Sequence, residues 1–350
     1  MKLCTAFFVT VTLILVASTA AVAGEAQITE LFLRVDSAVV EIATVQQEVA
    51  EEGPARRVSA GGLGSGFLIS ADGLVMTASH VVQVADEVAV RFVTGAVVKA
   101  RVVASAPSMD VALIRVEQVP DGIVPVVLGN SDATQVGDRV FVVGAPFGIS
   151  HSLSVGYVSA RRTPNNLFGG LEQVELLQTD TAINQGNSGG PMFNMRGEAI
   201  GIVSHILSTS GGFQGLGFVI TSNVARRVLL EDPTPWTGLN LLLLEGKLAR
   251  ALNLPRKAGL LVQGVAAGSP GAALGLRSGD LPTQIGDQKL TLGGDIILSI
   301  HGISIGEPDF KTKIHERSKQ LGDEDKVELV VLRDGDVIHL SKTISVLEHP

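Results

Sequence analysis

The chain has 350 residues, of which 45% are apolar, so it is long enough to form two domains with ordinary hydrophobic cores. Its formal net charge is −8, and it lacks the basic surface that a nucleic-acid partner requires. Forty glycines and many short Val/Ile-rich runs, with one Trp and one Tyr, favour a turn-dense β architecture over a helical one.

The first 23 residues are typical of a secretory signal. They contain one lysine, a long apolar stretch and the small-residue sequence AVA, which predicts cleavage after Ala23 and a periplasmic or secreted protein. The alternative is a retained membrane anchor, because residues 3–23 are long enough to span a bilayer. The only cysteine, Cys4, lies in this segment, so a processed chain would have no disulfide or cysteine chemistry.

Short apolar segments separated by turn residues follow a predicted helix from Ile28 to Val35. Their spacing predicts a mainly β fold, with two six-stranded barrels over residues 35–220. The predicted strands are AVVEIATV, GFLIS, LVMT, EVAVRF, VVKARVV, VALIRV, RVFVVG, LSVGYVSA, VELLQT, AIGIVSHI and GFVI.

A helix with Ser222 as its N-cap is predicted to close this region. Pro233 and Pro235 then interrupt regular structure and mark a domain boundary. Beyond them the pattern changes to an α+β domain. Its predicted helices are GKLARALNL, SPGAALGL and FKTKIHERSKQL, and its predicted strands are GLLVQGV, GDIILSIHG and a final pair joined by an Asp-Gly turn.

The heptapeptide QGNSGGP places Ser188 among glycines that allow a sharp backbone turn. A serine nucleophile needs a base and a group that orients the base. His80 in TASHVV and Asp110 in MDVALIRV are the candidates, and the order His, Asp, Ser is that of chymotrypsin. Taken singly, each of the three residues could instead be an ordinary turn or structural residue. The remaining histidines form no helical i,i+4 pair with a glutamate, so no metal site is predicted.

Several motifs occur in matching order with the HtrA (Deg) family of trypsin-fold serine proteases, which this chain resembles over roughly residues 28–230. They are GSGFLISADGLVMTASHVV, MDVALIRV, LGNSDATQVGDRVFVVGAPFG, SVGYVSA and QTDTAINQGNSGGPMFNMRGEAIGIVSHI. The resemblance implies a chymotrypsin-like double β-barrel protease domain over residues 24–232. It also implies that His80 is the general base, Asp110 orients it and Ser188 attacks, with the Gly186 and Ser188 N–H groups as the oxyanion hole.

The resemblance also predicts the substrate pocket, from Ala182, Gln185 and Ser204. Ala182 stands where the base of the primary pocket is expected and carries no carboxylate, so cleavage after small or medium aliphatic residues is expected rather than after Arg or Lys. Ser204 resembles the serine that hydrogen-bonds the catalytic aspartate in trypsin-like enzymes. Asn187 replaces the aspartate that zymogen-activated relatives pair with a new amino terminus, so activation is expected to come from the ordering of loops.

Residues 236–348 resemble the PDZ domain that follows the protease in this family. The loop that binds a peptide carboxylate would be Trp236, Thr237, Gly238 and Leu239. The chain departs from the family pattern at the polar Thr237 and in residues 281–293, which have the character of an insertion. The alternative is a domain that only packs against the protease.

The resemblance implies an envelope serine endopeptidase that degrades unfolded or damaged proteins, without a cofactor. The expected partners are unfolded polypeptides, C-terminal peptides at the PDZ domain and further copies of the chain, in a homotrimer or higher oligomer. Leu31, Phe32 and Leu33 are the candidate residues for the trimer contact. The alternatives are a membrane-anchored, site-specific regulatory protease and a chaperone or peptide-binding scaffold without proteolytic activity.

Overall fold

The computed structural model describes residues 27–49, 57–145, 151–162, 174–206, 212–286, 288–322 and 325–343. The predicted signal sequence, residues 1–23, lies outside this part of the chain. None of the helices within these ranges is both long and apolar enough to cross a membrane.

The first barrel follows helix α1, which covers residues 27–35 as predicted. Six strands close into a barrel in the order β1-β2-β3-β6-β5-β4, all of them antiparallel. The strands are β1 (Val39–Val49), β2 (Arg57–Leu68), β3 (Leu74–Thr77), β4 (Glu87–Arg91), β5 (Val97–Ala106) and β6 (Val111–Val116), with helix α2 (Ser79–Val82) after β3.

The second barrel closes in the order β10-β11-β12-β9-β8-β7. The sequence therefore predicted the double-barrel class correctly, and eleven of the twelve strands fall on predicted apolar runs. The strands are β7 (Arg139–Gly144), β8 (Ser152–Arg162), β9 (Leu176–Thr179), β10 (Pro191–Asn194), β11 (Ala199–Ile206) and β12 (Gly217–Thr221).

Helix α3 (Ser222–Arg226) and a π-helical turn (Arg227–Glu231) close the second barrel. The prediction that Ser222 caps this helix is wrong, because Thr221 is the N-cap residue and Ser222 is already helical. The Ser222 hydroxyl donates instead to the Gly129 carbonyl at 2.8 Å. A long-range hydrogen bond therefore replaces the local cap that the sequence pattern indicated.

One hydrophobic core extends across the two barrels. Phe141 of β7 and Phe193 of β10 stack within it, with ring centroids 5.0 Å apart. Leu31 of α1 is also part of this core and is only 6% exposed, so it is not available for the predicted trimer contact. Leu33, in contrast, is 69% exposed.

The α+β domain is built on an antiparallel sheet of order β13-β14-β17-β19-β20, with β18 paired to β17. Residues 281–292 form a separate two-stranded hairpin, β15–β16. The elements are β13 (Leu239–Glu245), α4 (Gly246–Ala251), β14 (Ala258–Val265), α5 (Pro270–Ala273), β15 (Leu281–Ile285), β16 (Gln288–Leu292), β17 (Ile296–Ile300), β18 (Ile303–Ser304), α6 (Phe310–Lys319), β19 (Lys326–Arg333) and β20 (Asp336–Thr343).

A buried ion pair joins the residue before β17 to the last residue of β19. The Arg333 guanidinium binds both carboxylate oxygens of Asp295 at 2.7 Å, and Asp295 also accepts from the Arg277 backbone N–H at 2.9 Å. The Asp295 side chain is only 1% exposed. Removing one partner of such a pair leaves a buried charge uncompensated, which is far costlier than losing an exposed pair.

We therefore expect Asp295→Asn to lower the free energy of unfolding by about 3 kcal/mol. Asp334→Asn is the matched control, because Asp334 pairs with Arg277 at 3.6 Å with both side chains largely exposed. The control should change stability by less than about 0.5 kcal/mol. Urea denaturation of the full-length chain makes the comparison, and equal losses for the two variants would contradict it.

Candidate functional site

The predicted base and its orienting carboxylate meet between α2 and the start of β6. His80 Nδ1 lies 2.8 Å from Asp110 Oδ1 and 3.0 Å from Oδ2, and the His80 backbone N–H donates to Oδ1 at 3.1 Å. Asp110 has a left-handed backbone (φ 51°), which aspartate tolerates better than most residues. This conformation follows a short helical turn at 107–109 and directs the carboxylate toward His80 rather than along the strand.

The two groups perturb each other's ionisation. Burial of the Asp110 carboxyl opposes its charge, but hydrogen bonds from His80 and Ser204 hold the pKa of Asp110 below its usual range. Desolvation likewise opposes protonation of His80, yet the hydrogen bond and negative charge of Asp110 outweigh it and raise the pKa of His80. The His80 side chain is 51% exposed and that of Asp110 13%, so the imidazole remains open to a reacting group while the carboxylate is shielded.

A residue of the second barrel completes the environment of Asp110. The Ser204 hydroxyl, on β11, donates to Asp110 Oδ2. This is the hydrogen bond predicted for Ser204 from the family resemblance. Because His80 and Asp110 belong to the first barrel, the contact ties the carboxylate to both barrels.

Ser188 follows the loop before β10, also in the second barrel. Its hydroxyl donates to the Ser204 carbonyl at 3.3 Å, which is long for a hydroxyl donor. Within the described residues it makes no hydrogen bond to His80. Staggered χ1 rotamers of serine point its oxygen in different directions, so this weak hydrogen bond is easily exchanged for another. The structure thus places Ser188 beside the other two predicted residues, with its hydroxyl turned toward the β11 backbone.

Close backbone packing shapes the loop around Ser188. Gly189 has φ +85°, and a Cβ there would lie 2.2 Å from both the Ser65 carbonyl and Thr77 Oγ1. Gly186 has φ +99°, a conformation that glycine alone adopts without strain. In the part of the chain that the structure describes, no acceptor is bound to the N–H groups of Gly186 and Ser188. These are the two donors that the resemblance assigns to an oxyanion hole.

Ser65 of β2, in the first barrel, makes hydrogen bonds to this loop. Its backbone N–H donates to the Ser188 carbonyl at 2.8 Å, and its hydroxyl donates to the Gly186 carbonyl at 2.7 Å. The same hydroxyl accepts from the Ala145 N–H at 3.0 Å. Sequence reasoning missed Ser65, although its position in the glycine-rich GLGSGF, next to a predicted strand, was a signal of close backbone approach.

Asn187 is 4% exposed and packs against Gly144, where a Cβ would lie 2.7 Å from Asn187 Oδ1. Its Oδ1 accepts no hydrogen bond from the described residues. An amide can remain in this position without a counter-ion, whereas a buried carboxylate would require one. The site is therefore compatible with asparagine and does not depend on an ion pair with a new amino terminus.

Ala182 and Gln185, two residues predicted for the substrate pocket, lie in the loop before Ser188. Both are exposed, whereas Ile183 is 2% exposed and packs against Gly217 of β12. Ile183 therefore belongs to the core of the second barrel, and Ala182 stays the residue predicted for the base of the pocket.

The predicted carboxylate loop lies at the junction of the two domains. The Thr237 and Gly238 carbonyls accept from the N–H groups of Gly271 and Ala266, at 2.9 and 2.8 Å. Among the described residues, the N–H groups of Thr237 and Gly238 have no acceptor. The loop therefore has its carbonyls bound and two amide donors available, as binding of a carboxylate requires.

This loop is joined to the helix that carries His80. Gln83 follows α2, and its Nε2 donates to the Leu239 carbonyl at 2.9 Å, while the Gln83 carbonyl accepts from Trp236 Nε1 at 2.9 Å. Gln83 Oε1 accepts from the hydroxyls of Ser105 and Ser79, at 2.6 and 3.3 Å. The side chain is buried, so these bonds are protected from water. Sequence reasoning missed Gln83, because no local pattern marks a contact 156 residues away.

Across the described residues, no group of three or more His, Cys, Asp or Glu side chains is placed to bind a metal ion.

Comparisons with known proteins agree with this geometry. Residues 64–202 match the family model of the trypsin-like peptidase domain. A relative from Ectopseudomonas mendocina (strain ymp), named as a DegP-like periplasmic serine endoprotease, is 38% identical to this chain over 300 residues. The match covers 83% of this chain and 58% of the relative. Its counterpart in Pseudomonas putida (strain GB-1) is 41% identical over 260 residues, covering 72% and 53%. The chain thus spans little more than half the length of these curated relatives.

Solved structures of HtrA-type proteases are also similar to this chain. The HtrA-type protease AlgW with decapeptide superposes with a TM-score of 0.51 at 28% identity, covering 91% of this chain and 98% of that one. The same protease with tripeptide gives a TM-score of 0.51 at 28% identity, covering 92% and 98%. Residues 64–202 thus match a trypsin-like peptidase domain, and the chain is similar to HtrA-type proteases over most of its length. The trypsin-like match ends within β11, before the α+β domain begins.

The raised pKa of His80 predicts how labelling of Ser188 by a fluorophosphonate depends on pH. His80 must be neutral to accept the serine proton. Since its pKa is raised above the ordinary value of about 6.5, the labelling rate should fall as the pH drops through a value above 6.5. Stopped-time labelling followed by peptide mass mapping measures the rate. His80→Ala should label slowly at every pH; a wild-type rate independent of pH between about 5 and 8 would contradict the assignment.

Proposed function

We propose that this chain is an ATP-independent serine endopeptidase that cleaves unfolded polypeptides through an acyl-enzyme. The observation that carries the proposal is the hydrogen-bonded pair of His80 and Asp110 beside Ser188, whose loop has two amide donors available. The relatives named as periplasmic serine endoproteases support this activity and a periplasmic location.

The residues suggest the following course of reaction. The Ser188 hydroxyl turns from the Ser204 carbonyl to His80 Nε2, which takes its proton as the oxygen attacks the scissile carbonyl. Asp110 stabilises the imidazolium that forms, and the Gly186 and Ser188 N–H groups stabilise the negative oxygen. His80 then protonates the leaving amine, and a water molecule, activated by the same imidazole, releases the acyl group.

Ala182, the residue predicted for the base of the pocket, carries a small aliphatic side chain and supports cleavage after small or medium aliphatic residues. The exposed Ala182 offers no charge to pair with Arg or Lys. Unfolded proteins expose such aliphatic residues that folded proteins bury, which fits degradation of unfolded chains.

Ser188→Ala should abolish casein turnover, with a loss of roughly 10⁴-fold or more in kcat, because the nucleophile is removed. Ser341→Ala, an exposed serine on β20, is the control and should keep full turnover. Gel-based casein degradation checks both. Turnover that survives Ser188→Ala would favour a different nucleophile, whereas an inactive wild-type chain would favour the chaperone or scaffold alternative.

We also propose that residues 236–348 form a PDZ domain that binds C-terminal peptides at the loop from Trp236 to Leu239 and regulates the protease. The two available amide donors of the loop and its hydrogen bonds to Gln83 support this. A peptide bound at this loop would be linked to α2 and His80 through the Gln83 hydrogen bonds and the few residues between Gln83 and His80. A homotrimer remains a prediction, and of its candidate residues the exposed Leu33 is better placed for the contact than the buried Leu31.

Gln83→Met should weaken this regulation, because methionine keeps the length of the side chain but can neither donate to the Leu239 carbonyl nor accept from the Ser79 and Ser105 hydroxyls. We expect stimulation of casein turnover by a peptide with a free C-terminal carboxylate to fall about fivefold, the effect of about one hydrogen bond. Gln47→Met, an exposed glutamine on β1, is the matched control. Unchanged stimulation in Gln83→Met would show that this contact does not transmit the signal.

A further inference from the structure

A second histidine lies next to the candidate catalytic residues. His205 follows Ser204 on β11, and its Nδ1 is 2.9 Å from the Ser204 hydroxyl oxygen. That same hydroxyl donates to Asp110. The course of reaction described above makes no use of His205.

The direction of these hydrogen bonds follows from the charge of Asp110. Its lowered pKa keeps the carboxyl ionised near neutral pH, and an ionised carboxylate can only accept. The single hydrogen of Ser204 is therefore directed at Asp110. The Ser204 oxygen must then accept from His205, which requires the imidazole tautomer with its proton on Nδ1.

The surroundings hold the His205 ring in this position. It stacks on Phe218 with ring centroids 5.2 Å apart and an interplanar angle of 18°. The pairing of β11 with β12 shifts register between Val203 and His205, so the strand bulges at Ser204. Such a bulge re-aims side chains, and here it brings Ser204 and His205 together toward Asp110.

Asp110 and His80 are two charged groups that act on His205. Burial comes first among the causes that lower the pKa of His205, with Asp110 opposing and His80 adding to the shift. His205 therefore stays neutral while His80, with its raised pKa, gains and loses its proton. Two histidines with pKa values pushed in opposite directions can serve as a fixed donor and a proton acceptor in one site.

We propose that His205 is a positioning residue, whose Nδ1–H holds the Ser204 hydroxyl toward Asp110 and thereby keeps the His80 ring aligned for proton transfer. This inference rests on the proposed protease activity and adds a residue to its machinery. Ser204 is the link, because its side chain contacts Asp110 and His205 while its carbonyl accepts from Ser188.

The test measures kcat, KM and their pH dependence for casein or an aliphatic fluorogenic peptide with the full-length chain. His205→Ala should lower kcat about fivefold to tenfold with little change in KM, as loss of one orienting hydrogen bond predicts. The acid limb of the pH profile of kcat for His205→Ala should move to higher pH. Without the hydrogen bond from His205, Ser204 is a weaker donor to Asp110, and the Asp110 carboxylate then holds the His80 proton more tightly. His205→Asn should restore most of the activity, since the asparagine Nδ2 can occupy the place of the histidine Nδ1–H.

A double-mutant cycle separates this role from a purely structural one. In a Ser204→Ala background, His205→Ala should have almost no further effect on kcat, because the link is already removed. Thermal melts identify any variant that fails to fold. In the wild-type chain, ¹⁵N NMR of the imidazole offers a test without a variant, and should show the Nδ1–H tautomer at His205.

Any one of the following results would overturn the inference: an unchanged kcat and acid limb in His205→Ala, an asparagine variant no better than alanine, or an Nε2–H tautomer. An undiminished effect of His205→Ala in the Ser204→Ala background would do the same. If the wild-type chain has no activity, the proposed function fails and the inference fails with it. If the wild-type chain is active and the His205 variants match it, the inference alone fails.

Discussion

The stabilisation of one partly buried negative charge, on Asp110, is the constraint on which the rest of the site depends. The carboxylate is mostly shielded from water, so it remains ionised only because several donors converge on it. The first barrel supplies the ring and backbone N–H of His80, and the second barrel supplies the Ser204 hydroxyl. Neither barrel alone can complete this set. The double-barrel architecture is therefore a requirement of the chemistry and not only a scaffold for it.

The same reasoning explains why small residues crowd the contact between the barrels. Ser65 of β2 contacts the loop that carries Ser188 through its backbone and its hydroxyl, and Gly189 leaves no room for a side chain at that contact. The positive φ angles of Gly186 and Gly189 allow the loop to present its amide groups to the cleft. A larger residue at Gly189 would push the barrels apart and separate Ser188 from His80. Packing and catalysis thus impose the same demand on these positions.

Much of this arrangement could be predicted from the sequence, because it is determined by patterns of residues that are close together in the chain. Alternating and continuous apolar runs predicted eleven of the twelve barrel strands, and local motifs identified His80, Asp110 and Ser188. The strand Pro191–Asn194 was missed, because it is four residues long and begins with proline directly after a turn. The helix cap at Ser222 was wrong, because a distant carbonyl binds its hydroxyl.

The features that could not be predicted are contacts between residues that lie far apart in the chain. Gln83 and Leu239 carry no signal of their contact, which joins residues 156 positions apart. His205 was considered only as a metal ligand, since nothing in its sequence context shows that a strand bulge places it behind Asp110. Long-range hydrogen bonds of this kind connect the second domain, the helix of His80 and the nucleophile in one network.

The most direct test of this account is a crystal structure of the full-length chain after reaction with a phosphonate that mimics the acyl transition state. The account predicts a covalent bond to the Ser188 oxygen, with a phosphonyl oxygen within about 3.1 Å of the Gly186 and Ser188 nitrogens. His80 should then lie between the adduct and Asp110, with the Asp110 contacts unchanged. An adduct on another residue, or a phosphonyl oxygen turned away from both amides, would contradict the central claim that the two barrels together form one catalytic centre.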